Sequence, residues 1–357
     1  MLWFVGIGIN GYRGLSIAAL DVLRKCNVVY IERFTSALSE VDIQGLNSLL
    51  EMHTKPVQRW FVEDGREILE AAKTKDVALV TYGDPLIATT HSELRSRAAK
   101  NSIKSAILHS ASGIASLIGE SGLHVYKFGR MVTMMSKLLS AVTVYNTIFQ
   151  NLLSGSHTLI LTEYSHDDES KEEQFFLDPS SVFKMLLDAE QAHKHEIFSD
   201  NTFAVVASRV GMQDQKIISG KVKSLMKLEF GIGPHSVIVT GALHFTETEA
   251  LASVTENIDE PTDNSQSINR IEAQMVERYA PKAKQAVQEM FKLFRDGTDS
   301  NKGIFETLEN AECYIADSEQ FLRQGKFELA VLSIGYAEGL IDALRYQKGI
   351  NPWNTSA

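Results

Sequence analysis

The sequence predicts an α/β protein of two α/β lobes followed by a C-terminal all-α helical bundle. Three observations predict it. From the first residue to about residue 130, short apolar runs alternate with helix-like runs, the pattern of a mostly parallel sheet. Beyond residue 157 the strand-like runs follow one another more closely, as in a mixed sheet. After residue 268 the apolar residues step by three and four, as in packed helices. A chain of 357 residues is long for one domain. We therefore expect an N-terminal lobe over 1–112, a C-terminal lobe over 113–243, an acidic linker over 244–267 and a helical domain over 268–350.

Apolar residues make up 44 % of the chain, enough for a core in each lobe. The formal charge is −10 with both signs mixed along most of the chain, which argues against a protein that coats nucleic acid. Cys26 and Cys313 stand far apart without metal-ligand spacing, as expected in a reduced intracellular compartment. Met1 to Asn10 is short, lacks a basic flank and contains Gly6 and Gly8, so it reads as a first strand and not as a leader. No apolar run approaches the roughly eighteen residues of a membrane span.

Leu2 to Ile9 is the first expected strand, and Gly6-Ile7-Gly8-Ile9-Asn10-Gly11 has G-x-G-x-x-G spacing. Leu15 to Lys25 reads as a helix, and Asn27 to Ile31 as a strand ending at Glu32. A glycine fingerprint followed by an acid is the dinucleotide-binding signature. Two details weaken it. Tyr12-Arg13-Gly14 stand between the glycines and the helix, whose N-terminus should face a pyrophosphate. Glycine pairs also occur wherever backbone must approach a ligand closely. At this point both readings stand.

Ala37 to Leu50 and Asp64 to Thr74 read as helices, with Pro56 to Val62 extended between them. Asp76 to Tyr82 reads as a buried strand that breaks on Gly83-Asp84-Pro85, and a helix follows from His91 to Lys100. Ile103 to His109 is a further strand, ending in Ser110-Ala111-Ser112-Gly113. Each such loop alone is an ordinary turn. Together, three strand ends open onto Gly, Ser, Thr or Asp, which is how a crevice for a small polar molecule is lined.

Val144 to Leu153 reads as a helix, His157 to Thr162 as a strand, Tyr164 to Gln174 as a charged loop and Pro179 to Ala192 as an amphipathic helix. Thr202 to Ala207, Lys216 to Ser219 and Ser236 to Thr240 complete the strands. Two clusters imitate metal sites. His166-Asp167-Asp168-Glu169 lies in the charged loop and reads as solvated. His193-Lys194-His195 ends a helix, where positive charge suits the macrodipole. No metal site is expected. His244 to Ser267 carries six acids and no Lys or Arg, and with Pro261 it reads as a linker. The helical domain is expected as a piece from Ile268 to Gly297 punctuated at Pro281, then Ile304 to Gln324 and Phe327 to Gln347, with no catalytic constellation.

One set of motifs stands in a telling order: Phe4-Val5-Gly6-Ile7-Gly8-Ile9, Phe34-Thr35-Ser36, Tyr82-Gly83-Asp84-Pro85-Leu86-Ile87-Ala88-Thr89-Thr90-His91, Gly122-Leu123-His124-Val125-Tyr126-Lys127-Phe128-Gly129, His157-Thr158-Leu159 and Pro234-His235. Over residues 1 to about 250 the chain resembles the diphthine-forming branch of the tetrapyrrole-methylase-like family of methyltransferases. The resemblance implies two α/β lobes of the tetrapyrrole-methylase type with the cofactor cleft between them, usually as a cytoplasmic homodimer. It implies S-adenosyl-L-methionine as cofactor, contacted by Ile9, Asp84, Ile87, Ser112, Gly113, Thr162, Val210 and His235. Gly113 stands where the family often has a side chain and Thr162 where an apolar residue is usual, and the segment after Gly129 matches weakly. The glycine pair would then lie beside a methyl donor, and Glu32 would be only a strand-end acid.

The implied reaction is successive methylation of the amine of the amino-carboxypropyl-modified histidine on translation elongation factor 2. It needs no metal, and no general base is assigned. Asp84 has two candidate roles: facing the donor's positive charge, or holding its own loop by accepting from nearby N–H groups. The helical tail resembles a small archaeal domain of unknown function that the family normally lacks. Two alternatives remain: a relative acting on another substrate such as a tetrapyrrole, whose carboxylates would want a basic crevice, and a non-catalytic, translation-associated binding module.

Overall fold

A computed structural model of the protein describes residues 1–35, 38–165, 175–267, 271–294 and 302–353. The chain forms two compact units, Met1–Ile268 and Asn269–Ala357.

The first sheet takes β1 (Leu2–Gly6), β2 (Val28–Glu32), β3 (Lys55–Val57), β4 (Val77–Thr81) and β5 (Ser105–Leu108) in the order β3-β2-β4-β1-β5, with every pairing parallel. The run Val77-Ala78-Leu79-Val80-Thr81 is buried throughout because helices cover both faces of its sheet. Successive strand residues point to opposite faces. Phe4, Tyr30 and Leu79 therefore pack on one side with Ile68 and Leu94, and Val5, Val29 and Val80 on the other with Leu23 and Leu46. The helices are α1 (Ile17–Leu23), α2 (Glu40–Leu50), α3 (Arg59–Asp64), α4 (Arg66–Thr74) and α5 (His91–Lys100).

Ser39 and Asp42 form a capping box at the start of α2. The extended piece expected over 56–62 is shorter, because Arg59 already opens α3. The helix expected from Asp64 starts afresh at Arg66, because Gly65 at φ 59° takes the left-handed conformation that ends α3.

The next elements are α6 (Gly113–Glu120), β6 (Val132–Met134), α7 (Leu138–Leu153), β7 (Thr158–Thr162), β8 (Tyr164–Ser165), β9 (Phe175–Phe176) and α8 (Pro179–His193). They are followed by β10 (Phe203–Ser208), β11 (Lys216–Lys221), α9 (Val222–Leu225), β12 (His235–Val239), α10 (Phe245–Val254) and β13 (Glu256–Asn257). The second sheet is mixed, in the order β13-β11-β10-β12-β7-β6, while β8 and β9 pair with each other. The cluster His166 to Glu169 lies outside the described residues. His193 ends α8, and its ring stacks on Tyr145 at 5.4 Å.

The expected acidic linker is instead part of the second lobe. β13 adds to the sheet edge beside β11, and the buried Asn264 side chain donates to Phe203 O and Thr240 O and accepts from Phe203 N. Three of its acids, Glu247, Asp259 and Asp263, act as acceptors within the fold, while Glu249, Glu256 and Glu260 are exposed. Asp259 accepts from Lys221 N at 2.9 Å. Glu247 is buried and bound by Lys127, by His157 Nε2 and by the backbone N–H groups of His124 and His244.

The second unit holds α11 (Ile271–Phe294), α12 (Lys302–Arg323) and α13 (Phe327–Lys348) around Val276, Val287, Leu308, Ile315, Ile334 and Ile341. Pro281 lies inside α11 and does not begin a new helix. The expected stop at Gly297 lies outside the described residues. Among the described residues no helix is long and apolar enough to cross a membrane.

Candidate active site

A cavity of about 690 Å³ opens where the strand ends of the two sheets of the first unit face each other. Its wall includes Ile9 beyond β1, Tyr82 to Asp84 beyond β4, Ser112 and Gly113 beyond β5, Thr162 at the end of β7, Val210 beyond β10 and His235 at the start of β12. Ile87 lies on the same wall, so the structure brings all eight sequence-selected residues to one cavity.

Backbone proximity explains the glycines. Gly8 N donates to Gly83 O at 3.1 Å and Gly83 N donates back to Gly8 O at 2.9 Å. A Cβ on Gly6 would sit 2.5 Å from Gly83 O, so only glycine lets β1 and β4 run out side by side. The dinucleotide reading fails on position. The fingerprint leads into a short 3₁₀ turn at Gly11–Gly14, and α1 begins only at Ile17, where Ser16 Oγ already accepts from Ala19 N. Glu32, the acid that signature would use, is buried against His91 and is no part of the cavity wall.

Asp84 is buried with both carboxylate oxygens engaged. Oδ1 accepts from Leu86 N at 3.0 Å, and Oδ2 lies 2.7 Å from His109 Nδ1 and 3.3 Å from Ser110 N. Of its two candidate roles, the structure displays the loop-holding one. It ties the loop after β4 to the loop after β5, which sets the spacing of the wall.

Tyr82 donates its hydroxyl to Ile9 O at 2.7 Å, and burial pushes the phenol up to about 12, so it remains a donor. Thr162 Oγ1 donates to His235 O at 2.7 Å, which accounts for a hydroxyl where an apolar residue was expected. His235 Nδ1 lies 2.8 Å from Ser208 Oγ, and burial lowers its ring below the usual 6.5, so the imidazole is neutral near pH 7. A Cβ on Gly113 would meet only Ile9 Cγ2, at 3.9 Å, so the missing side chain there is not forced by crowding.

Sequence reasoning missed part of the wall. Phe34 and Thr35 were visible only as pieces of a motif. Arg59 and Glu163 carried no signal of their own. Glu163 follows the last residue of β7, and its Oε2 accepts from both Ser136 N and Ser136 Oγ at 2.7 Å.

Two α/β sheets whose strand ends close on one cavity define a class. The sequence profile described as Tetrapyrrole (Corrin/Porphyrin) Methylases matches residues 1–226, and the chain belongs to this family of methyltransferases. Its relatives include the diphthine synthase of Methanocaldococcus jannaschii, 34 % identical over 261 residues, covering 72 % of this chain and 100 % of the relative. The diphthine methyl ester synthase of Dictyostelium discoideum is 31 % identical over 263 residues, covering 70 % and 96 % respectively. A crystal structure of diphthine synthase superposes with a TM-score of 0.63 at 26 % identity, covering 75 % of this chain and 99 % of that one. A second profile, described as a protein of unknown function (DUF357), matches residues 278–350, within the helical unit.

Proposed function

We propose that the chain forms diphthine: it moves methyl groups from S-adenosyl-L-methionine to the amine of the amino-carboxypropyl histidine on translation elongation factor 2. The observation that carries this reading is the single cavity on which all eight expected donor contacts lie, in a chain that spans the full length of a diphthine synthase.

The wall suits the donor. Its volume of about 690 Å³ falls within the roughly 300–1,000 Å³ of small-molecule sites. Ile9, Ile87, Leu117, Leu161 and Val210 offer apolar surface to a purine ring and a thioether chain, and Ser112 and Asp84 offer polar atoms. When bound, S-adenosyl-L-methionine supplies a methyl already activated as a sulfonium, so the N–C bond forms as the S–C bond breaks and a thioether leaves. The protein's part is to align the amine, exclude water and receive one proton per methyl. Tyr82 fixes the Ile9 shelf, and Thr162 fixes the backbone at His235. Glu163 receives the proton: Ser136 holds its Oε2, and Oε1 stays open among the described residues.

The tetrapyrrole alternative fits poorly. Among the described wall residues the cations are Arg59 and a neutral-leaning His235, set against Asp84 and Glu163, which is no receptor for a polycarboxylate. We further propose a homodimer in the cytoplasm. Equilibrium binding of S-adenosyl-L-methionine tests the site. Gly113→Phe, which fills the cavity, should weaken it at least about tenfold, a difference of about 1.4 kcal/mol. Unchanged affinity would place the donor elsewhere, and no binding by the natural chain would favour the binding-module alternative.

A further inference from the structure

We propose that Arg59 holds the carboxylate of the acceptor's amino-carboxypropyl group, presenting the amine beside it to the methyl donor; this rests on the function proposed above. Arg59 is the first residue of α3 and lies on the cavity wall next to Phe34. Its guanidinium carbon stands 5.4 Å from the centre of the Phe34 ring. Its ion-pair neighbour is Glu63, one turn along the helix, with Nε 4.0 Å from Oε1, too far for a hydrogen bond. The five N–H donors of the fork are therefore uncommitted among the described residues.

Among the described residues no carboxylate of the wall is ion-paired with it. Both oxygens of Asp84 are engaged by its own loops, Glu163 is held by Ser136, and burial keeps the His235 ring neutral near pH 7. Arg59 is thus the one permanent cation among the described wall residues. A planar, bidentate fork matches a carboxylate, and packing on an aromatic face limits the freedom lost on binding.

Two bound molecules could supply the carboxylate, because donor and acceptor both carry an amino-acid group. The acceptor is favoured by position. The Arg59 side chain is 62 % exposed and so is accessible to a group carried by another protein. Of the expected donor contacts, Val210 and His235 are buried.

The test uses the full chain and its Arg59→Met and Arg59→Lys variants. Methionine keeps an apolar stem against Phe34 without the charge; lysine keeps the charge without the fork. Arg59→Met should raise KM for elongation factor 2 bearing the amino-carboxypropyl histidine by about tenfold to a hundredfold, the worth of a charge-assisted hydrogen bond. The donor Kd should stay within about twofold and kcat at saturating acceptor should change little, with Arg59→Lys recovering part of the loss. An unchanged KM in Arg59→Met overturns the proposal. A weakened donor Kd with acceptor KM unchanged also overturns it and moves the carboxylate to the donor. Turnover by the natural chain separates the two levels. If it methylates the factor, a negative result counts against Arg59 alone. If it does not, the underlying reading fails first and the proposal falls with it.

Discussion

His91 Nε2 lies 3.0 Å from Glu32 Oε2, and both side chains are wholly buried. The other ring nitrogen, Nδ1, stands 2.9 Å from Pro85 O. A carbonyl only accepts, so Nδ1 carries a hydrogen, and a further proton must lie between Nε2 and the carboxylate. The pair pins the first residue of α5, and with it the Gly83–Thr90 loop, to the end of β2. That gives a physical reason for a histidine at the end of the Leu-Ile-Ala-Thr-Thr-His motif.

Removing one partner strands the other. His91→Ala should cost about 3–5 kcal/mol, the usual penalty for leaving a buried charge unpaired. Glu32→Gln, whose amide can still donate to Nε2, should cost only about 1–2 kcal/mol. Urea unfolding measures both, and equal small losses would mean that the pair does not hold the loop.

Asp84→Ala should lower stability by about 2 kcal/mol and weaken donor binding, because three hydrogen bonds that space the loops after β4 and β5 are lost together. Denaturation and calorimetry on the same sample test this. A stable variant that binds the donor as before would show that the spacing does not depend on this carboxylate.

Stability should fall with acidification in two stages. Burial lowers the rings of His157 and His235 below the usual 6.5. Below that value the unfolded chain takes up protons that the folded chain refuses, so stability drops as the pH falls. Glu247 adds the second stage. Burial opposes its ionisation, but Lys127, the N–H groups of His244 and His124, and His157 outweigh it and hold the carboxyl at about 2 against a usual 4.5. Its contribution is whole above 4.5 and is lost between there and about 2. Melting temperatures measured across this range should show the lower stage flattened in Glu247→Gln.

Glu163→Gln should lower kcat by about a hundredfold or more while leaving the donor Kd unchanged, since it removes a proton acceptor and no donor contact. Single-turnover methylation at several pH values measures it. An unaltered rate with an unaltered pH profile would assign the proton to water.

Much of this was legible in the chain. Buried strands such as Val77 to Thr81 declare themselves by unbroken apolar runs, and the strand ends that form the wall are marked by Gly83, Ser112 and Gly113. What escaped depends on contacts distant in sequence. Residues 244–267 have a linker's composition, yet Glu247 and Asn264 are buried because Lys127, His157 and Phe203 supply their partners. Arg59 packs on Phe34 from beyond α2 and β3, and no local pattern announces such a contact. Pro281 reads as a helix start in sequence, but the packing of Ala280 and Ala283 in the bundle core carries α11 through it.

The most direct measurement is mass spectrometry of elongation factor 2 bearing the unmethylated amino-carboxypropyl histidine, after incubation with the full chain and S-adenosyl-L-methionine. Stepwise methyl-sized gains on that histidine, absent with Gly113→Phe, are the predicted result. No gain on the factor, with donor binding intact, would contradict the account.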